Sequence, residues 1–210
     1  MKMWWQKPQR IVQTNLRLVD ATLEPTSLVQ ELRGFGATAM LFNVGGIFSW
    51  YPSTLELQAP NPLLEKDRDL VGELVEAAHA ADIKVIGRYD LSKGTRTAFD
   101  KHPDWFCRGL DGQPFEYHGT YQACVNGGWS RAQSMEVMRE TLSRYPLDGL
   151  FFYMFGYLRT DYSYDKYDVC HCDNCHRTFK AFSGMDLPAS YDPAEPALRE
   201  YLRFQDATSQ

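Results

Sequence analysis

The sequence predicts an α/β fold in which this chain holds the N-terminal half of a (β/α)8 barrel, about four β/α units. Three observations predict it. Strand-like and helix-like apolar patterns alternate along the chain. The later strand patterns are continuously apolar, which indicates burial on both faces as in a parallel sheet. The long connections all follow the C-terminal ends of strands, whereas the returns from helix to strand are short. An open doubly wound sheet shares the first two features. The loop asymmetry favours a barrel, whose βα loops build its mouth. No G-x-G-x-x-G follows the first strand pattern, so dinucleotide binding in the open-sheet manner has no support.

Arg10 to Leu16 is a short β-prone run, and Asp20 to Phe35 carries Leu28, Val29 and Leu32 at helical spacing before Gly34 and Gly36 end it. Thr38 to Val44 reads as a buried strand closed by Gly45-Gly46. After a Pro-rich loop, Asp67 to Ala81 places Leu70, Leu74, Val75 and Ala78 on one helical face. Lys84 to Tyr89 is the third strand. The stretch from Asp90 to about Ala123 reads as one long loop containing His102 to Phe106 and the turn pair Asp111-Gly112, and a loop of that length is usually functional. Ser130 to Tyr145 predicts a third helix with Met135, Met138 and Leu142 in register, and Leu147 to Phe155 a fourth, wholly apolar strand. Beyond Phe179 a Pro-punctuated connection leads to a helix from about Ala197 to Ala207. A complete barrel takes about 250 residues, so residues 1–210 are expected to be the N-terminal part of a single barrel domain. The alternative is a complete small α/β domain.

With 44% hydrophobic residues the chain can bury a core, and its net charge of −5 argues against a nucleic-acid or anionic-membrane partner. No stretch approaches the roughly 18 apolar residues of a membrane span, and the N-terminus lacks a signal-peptide apolar region. A soluble, cytoplasmic protein is expected. The 12 Tyr, 12 Phe and 5 Trp include many in polar loops, where they suit stacking on sugar rings.

The five cysteines fit a metal better than a disulfide framework. Cys170, Cys172 and Cys175 form C-x-C-x-x-C, and Cys124 supplies a remote fourth thiol. Four thiolates can converge on one tetrahedral Zn²⁺ at about 2.3 Å, a closed site that leaves no position for water and is therefore structural. Buried apolar thiols are the alternative, and three cysteines with His171 or His176 a fallback ligand set. Cys107 is left over as a spectator.

Several strand-end residues are candidates for chemistry. Asp90 follows the third strand, where a side chain projects into a barrel mouth, and Lys93 comes a turn later; Asp90 is a catalytic or substrate-binding candidate, with a turn-capping role as the alternative. Asn15 and Arg17 end the first strand and Asn43 the second, each able to hydrogen-bond a sugar hydroxyl or to pin a loop. Trp50 and Tyr51 follow Gly45-Gly46 as an aromatic wall or as loop packing. His118 precedes Cys124 in the long loop, as does Tyr121. Asp161 and Asp165 are the acids downstream of the fourth strand; as a general acid either would need burial to raise its pKa.

The segments VQTNLRLVDAT, FNVGGIFSWYPS, GRYDLSKG, HPDWF with DGQP, YQACVNG, and DGLFFYMFGY leading into VCHCDNCHRTF together resemble the hypothetical glycosyl hydrolase 6 family, related to family 42 β-galactosidases. The resemblance runs through most of the chain. It implies a TIM barrel hydrolysing O-glycosidic bonds of a carbohydrate substrate, and leaves a homo-oligomer of the full-length protein open. In family 42, a cysteine followed one residue later by Asn joins a C-x-C-x-x-C cluster to bind structural zinc; here Cys124 with Asn126 and Cys170, Cys172 and Cys175 match that order. One departure stands out. The family 42 pattern carries Asn-Glu at the end of the fourth strand, the Glu being the general acid/base, whereas the matching pair here is Tyr153-Met154. The partner nucleophile of that pattern comes from a seventh strand. A retaining pair needs carboxyls about 5 to 5.5 Å apart, so the fragment alone is expected to be inactive. The alternative is a carbohydrate-binding barrel that has lost the strand-four acid/base.

Overall fold

The computed structural model describes residues 3–209. They form two compact units: one runs to Asp90 and resumes over Val137–Tyr153, and the other comprises Leu91–Glu136 and the chain from Met154 onward.

The first unit is built on a parallel sheet of β1 (Ile11–Gln13), β2 (Ala39–Gly46), β3 (Lys84–Asp90) and β7 (Gly149–Tyr153), in that spatial order. Parallel neighbours need a crossover, and helices supply it. They are α1 (Pro25–Gly34), α2 (Leu70–Ala80) and α4 (Ser134–Arg144), the last of which begins in the other unit. Pro25 sits at the start of α1, where its fixed φ suits the first turn, and Val29 and Leu32 are buried from it. Asp69 caps α2 by accepting the Gly72 N–H at 2.9 Å, and Leu70, Leu74, Val75 and Ala78 are buried as their spacing predicts. At the end of β2, a side chain at position 46 would collide with the Asp90 backbone. Gly46 (φ +126°) permits that approach, and the Ile47 N–H then donates to the Asp90 carbonyl at 2.8 Å.

Three expectations are corrected here. The first strand is shorter than Arg10 to Leu16, and the residues before α1 form a 3₁₀ turn, Leu18–Thr22, because Pro25 starts a new helix. In α4 the inward face is Val137 and Thr141, continued by Tyr145 just past its end, while Met135 and Leu142 are 43% and 49% exposed. A threonine hides the true stripe from a hydrophobicity count: Thr141 is fully buried, with its Oγ1 2.7 Å from the Tyr89 hydroxyl. Thirdly, β7 is apolar but not buried on both faces; Leu150, Phe151 and Phe152 are 39%, 37% and 46% exposed. Among the described residues β7 is the outer strand, paired with β3 alone, and the sheet does not close.

The second unit resolves the long loop into structure. β4 (Lys93–Thr95), β5 (Glu116–Tyr117) and β6 (Thr120–Gln122) form an antiparallel sheet in the order β4-β6-β5, with α3 (Arg96–Lys101) between β4 and β5 in sequence. β5 and β6 make a two-residue hairpin at His118-Gly119, both with positive φ. An X-Gly pair between short polar and aromatic runs is a recognised hairpin signal. Downstream, α5 (Asp173–Ser183) and α6 (Leu198–Thr208) pack through Phe179, Tyr201 and Phe204, with Val169 and Ala197 in the same buried cluster. Gly184 takes the left-handed conformation that ends α5. No helix of the described residues is long and apolar enough to cross a membrane.

Asp148 staples the first unit. Its Oδ2 lies 2.7 Å from His79 Nε2 and accepts the Val85 N–H at 2.9 Å, while its Oδ1 is 3.1 Å from Lys84 Nζ. Burial works to raise its pKa, but the Val85 amide, His79 and Lys84 together hold it below the ordinary value of 3.8. A carboxyl more acidic when folded than when unfolded contributes stability fully above the unfolded value and loses it as pH falls through the folded one. Asp148→Ala should destabilise the chain by about 2 kcal/mol at pH 7, and the difference from wild type should shrink below about pH 4. Urea unfolding of both proteins across pH 2 to 7 measures this; a pH-independent difference would contradict it.

Candidate metal centre

The thiols named by their spacing come together. Sγ atoms of Cys124, Cys170, Cys172 and Cys175 all lie within 4.8 Å of one another, and all four residues are buried. Cys124 Sγ is 3.4 Å from the sulfurs of both Cys172 and Cys175. Tetrahedral M–S bonds of about 2.3 Å place sulfurs about 3.8 Å apart, inside the 4.8 Å within which all four sulfurs lie. The donor set therefore fits a closed four-coordinate metal ion.

Local structure explains the convergence. Cys172 is the N-cap of α5 and Cys175 lies in its first turn, where unsatisfied amides and the helix dipole favour negative charge. Cys124 is fixed by donating its N–H to the Trp105 carbonyl at 3.0 Å, and its sulfur accepts the Asn126 N–H at 3.4 Å. Asn126 Nδ2 donates to Cys175 Sγ at 3.4 Å and to the Tyr157 hydroxyl at 3.0 Å, which in turn lies 2.7 Å from Thr208 Oγ1. Burial raises the Tyr157 pKa, so it remains a neutral phenol in this chain of contacts. Cys107 packs in the same buried cluster and donates its S–H to the Ala123 carbonyl at 3.4 Å. His171 and His176 lie outside the four-sulfur group, with ring centroids 5.3 Å apart.

Charge completes the argument. Cys170 is held well below the usual thiol range by hydrogen bonds from Cys107, Cys124, Cys172 and Cys175. Cys124 is pushed well above it, chiefly by its contacts with Cys107, Cys170 and Cys172 and then by burial. Cys175 is raised in the same way by Cys124, Cys170 and Cys172. Buried thiols in mutual contact oppose several thiolates together. A metal dication bound there would lift that opposition, with protons released on binding.

The sequence profile of the hypothetical glycosyl hydrolase 6 family matches residues 24–154, more than half of the chain. The chain belongs to the hypothetical glycosyl hydrolase 6 family. The match spans β2, β3, β7 and Cys124 and stops before the C-x-C-x-x-C cluster. No curated protein matches the sequence. Among solved structures, alpha-L-fucosidase isoenzyme 2 from Paenibacillus thiaminolyticus is similar with a TM-score of 0.71 and 20% identity, over 97% of this chain and 29% of that one. A maltogenic alpha-amylase, AmyB, from Thermotoga neapolitana gives 0.50 and 17% over 70% of this chain and 39% of that one. A hypothetical protein from Ruminiclostridium thermocellum gives 0.51 and 16%, over 63% and 70%. These identities show a shared fold, and the hypothetical glycosyl hydrolase 6 chain spans under a third of the fucosidase.

In this family member the other candidate residues fall into separate groups. Asn43, Asp90 and Tyr153 meet at adjacent strand ends of the first unit, where Asn43 is in register with Arg88, and Asp90 with both Gly46 and Tyr153. Arg88 was not singled out by the sequence, although a charged residue inside the apolar third strand was a signal. Asn15 and Arg17 are exposed beyond β1, and Arg17 Nε lies 3.5 Å from Asp20. Trp50 and Tyr51 are buried; the Tyr51 hydroxyl donates to Glu140 at 2.8 Å, so its ring belongs to the loop interior. In the second unit Lys93 is buried with Nζ 4.2 Å from the Tyr162 ring centroid, and His118 is exposed at the hairpin tip. Asp161 accepts the N–H groups of Ser163 at 2.7 Å and Asp165 at 3.0 Å on one oxygen, which fixes its own loop.

Purified protein should carry one bound metal ion per chain by elemental analysis. Cys124→Ser should weaken metal binding more than ~100-fold and Asn126→Ala by ~10- to 100-fold, measured by competition with a chelator, while Cys107→Ser should retain the ion. Equal retention by all three variants would show that the four sulfurs are not the ligands.

Proposed function

We propose that this chain is the N-terminal part of a (β/α)8 glycoside hydrolase that cleaves O-glycosidic bonds, and that its four-thiol centre holds zinc. The observation that carries the reading is the cluster of Asn43, Arg88, Asp90 and Tyr153 at the C-terminal ends of parallel strands, in a chain of a glycosyl hydrolase family. Strand C-termini are where (β/α)8 enzymes place their chemistry. β1 and β7 each pair on one side only among the described residues, which is how part of a barrel sheet is arranged. Zinc follows from four thiolates in a closed site: soft ligands with no geometric demand beyond a tetrahedron. Bound there, it would tie the Cys124 loop to the start of α5 and activate no water.

Galactosides are the first substrates to test because of the resemblance to family 42, and α-fucosides the second because of the fold shared with the fucosidase. Asp90 is the acid proposed for the mouth of the barrel, as proton donor or as acceptor for a sugar hydroxyl. Asn43, Tyr153, Asn15 and Arg17 of the first unit are proposed sugar contacts. Tyr153-Met154 favours a second reading, a carbohydrate-binding barrel without turnover, because a phenol and a thioether do not replace a carboxylic acid as proton donor.

The full-length protein should hydrolyse an aryl β-galactoside or α-fucoside, residues 1–210 alone should not, and Asp90→Asn should lower kcat/KM by ~10²- to 10⁴-fold. Sugar binding by calorimetry without turnover would select the second reading. Neither binding nor turnover across a panel of neutral and acidic glycosides would reject both.

A further inference from the structure

Arg88 is 3% exposed and lies near the C-terminal end of β3. Its strand alternates in direction: Tyr89 reaches the helix side, where its hydroxyl meets Thr141 of α4, so Arg88 and Asp90 share the opposite face. That is the face a (β/α)8 barrel turns inward. Arg88 Nη1 donates to Asn43 Oδ1 at 3.1 Å, and its guanidinium carbon lies 4.0 Å from the centroid of the Tyr153 ring. Nε is buried without an acceptor. Among the described residues Arg88 forms no direct ion pair, not even with Asp90 of the same face, so its guanidinium sits out of water against a neutral amide and an aromatic face.

Such an arrangement is unfavourable unless something completes it. A buried charge without a counter-charge is strongly destabilising, and a cation–π contact offsets only part of that cost. The geometry of what remains free is specific. With Nη1 committed to Asn43, the Nε–Nη2 edge is left, and that side-on fork matches the two oxygens of one planar carboxylate. Asn43 fixes the fork and Tyr153 lies over it.

We propose that Arg88 is a carboxylate receptor at the ends of β2, β3 and β7, with Tyr153 covering the cation until the acid group arrives. This deepens the glycoside-hydrolase reading and rests on it for the site's role. The carboxylate has two sources, a uronic acid unit of the substrate or an acidic side chain of the full-length protein outside residues 3–209, and the test separates them. Tyr153 is then a cover that moves aside. It is the last residue of β7, in register with Asp90 and immediately before Met154.

The experiment compares wild-type full-length protein with Arg88→Lys and Arg88→Met, using free glucuronate and galacturonate against glucose and galactose as probes. Calorimetry gives affinity, and the side-chain Nε–H resonance of Arg88 gives contact independently of turnover. A substrate source predicts that wild type prefers the uronates at least tenfold, that the Nε–H resonance shifts on titration, and that Arg88→Met loses the preference while Arg88→Lys keeps part of it. A protein source predicts no such preference, an Nε–H already hydrogen-bonded, and a fall in kcat of at least tenfold in both variants with KM little changed and one limb of the pH profile displaced. Arg88→Met should melt no lower than wild type if the charge lacks a counter-charge, and lower if the protein supplies one. The proposal is overturned if uronates and neutral sugars bind alike and both variants keep kcat, KM and the Nε–H environment, or if Arg88→Met only lowers the melting temperature. Absence of glycoside turnover with a uronate-dependent Nε–H shift would reject the hydrolase reading and leave the receptor standing.

Discussion

Parallel pairing is the constraint on which the first unit depends. Adjacent parallel strands cannot be joined by a hairpin, so β1, β2 and β3 each hand over to a helix before the next strand of the sheet begins. That fixes every strand in one direction and brings their C-terminal ends to the same edge of the sheet. Polar residues at those ends become neighbours although they lie far apart in sequence: Asn43 meets Arg88, and Asp90 meets Tyr153. The helix side has its own fastenings. Glu140 accepts from the Tyr51 and Ser53 hydroxyls at 2.8 and 2.6 Å and from the Thr54 amide at 2.6 Å, so the loop after β2 is tied to α4. Burial works to raise the Glu140 pKa, but the Ser53, Thr54 and Tyr51 hydrogen bonds hold it below its ordinary value.

A different constraint organises the second unit. Its strands are short, and its buried clusters are one of five cysteines and one of Val169, Phe179, Ala197, Tyr201 and Phe204. Four buried thiols within contact distance favour a bound cation, since low-dielectric surroundings and mutual repulsion oppose several thiolates together. The same burial makes the site closed, so a metal bound there would hold loops in place and leave no coordination position for water. The side-chain amide of Asn126 is spent on Cys175 and Tyr157.

The strands and helices of the first unit were legible because burial there follows sequence periods: Leu70, Leu74, Val75 and Ala78 repeat at helical spacing and are buried. The inward face of α4 was not legible, because its central residue is a threonine whose hydroxyl is satisfied by Tyr89 and by its own helix backbone. β7 looks doubly buried by composition, yet burial depends on a neighbour that composition does not supply. The small antiparallel sheet was hidden for a third reason. Its strands span two or three residues, too few for any period to emerge, and only His118-Gly119 marked the turn.

The sequence by itself determined the α/β alternation, the family, and which four cysteines come together, because these rest on local period, motif order and spacing. Tertiary structure alone decided which side chains face one another across strands. Register placed Arg88 beside Asn43 and beneath Tyr153, withdrew Tyr51 into a loop, and turned Asp161 onto its own backbone. Those outcomes depend on long-range pairing, burial and the balance of buried charge, and none of the three is a property of neighbouring residues along the chain.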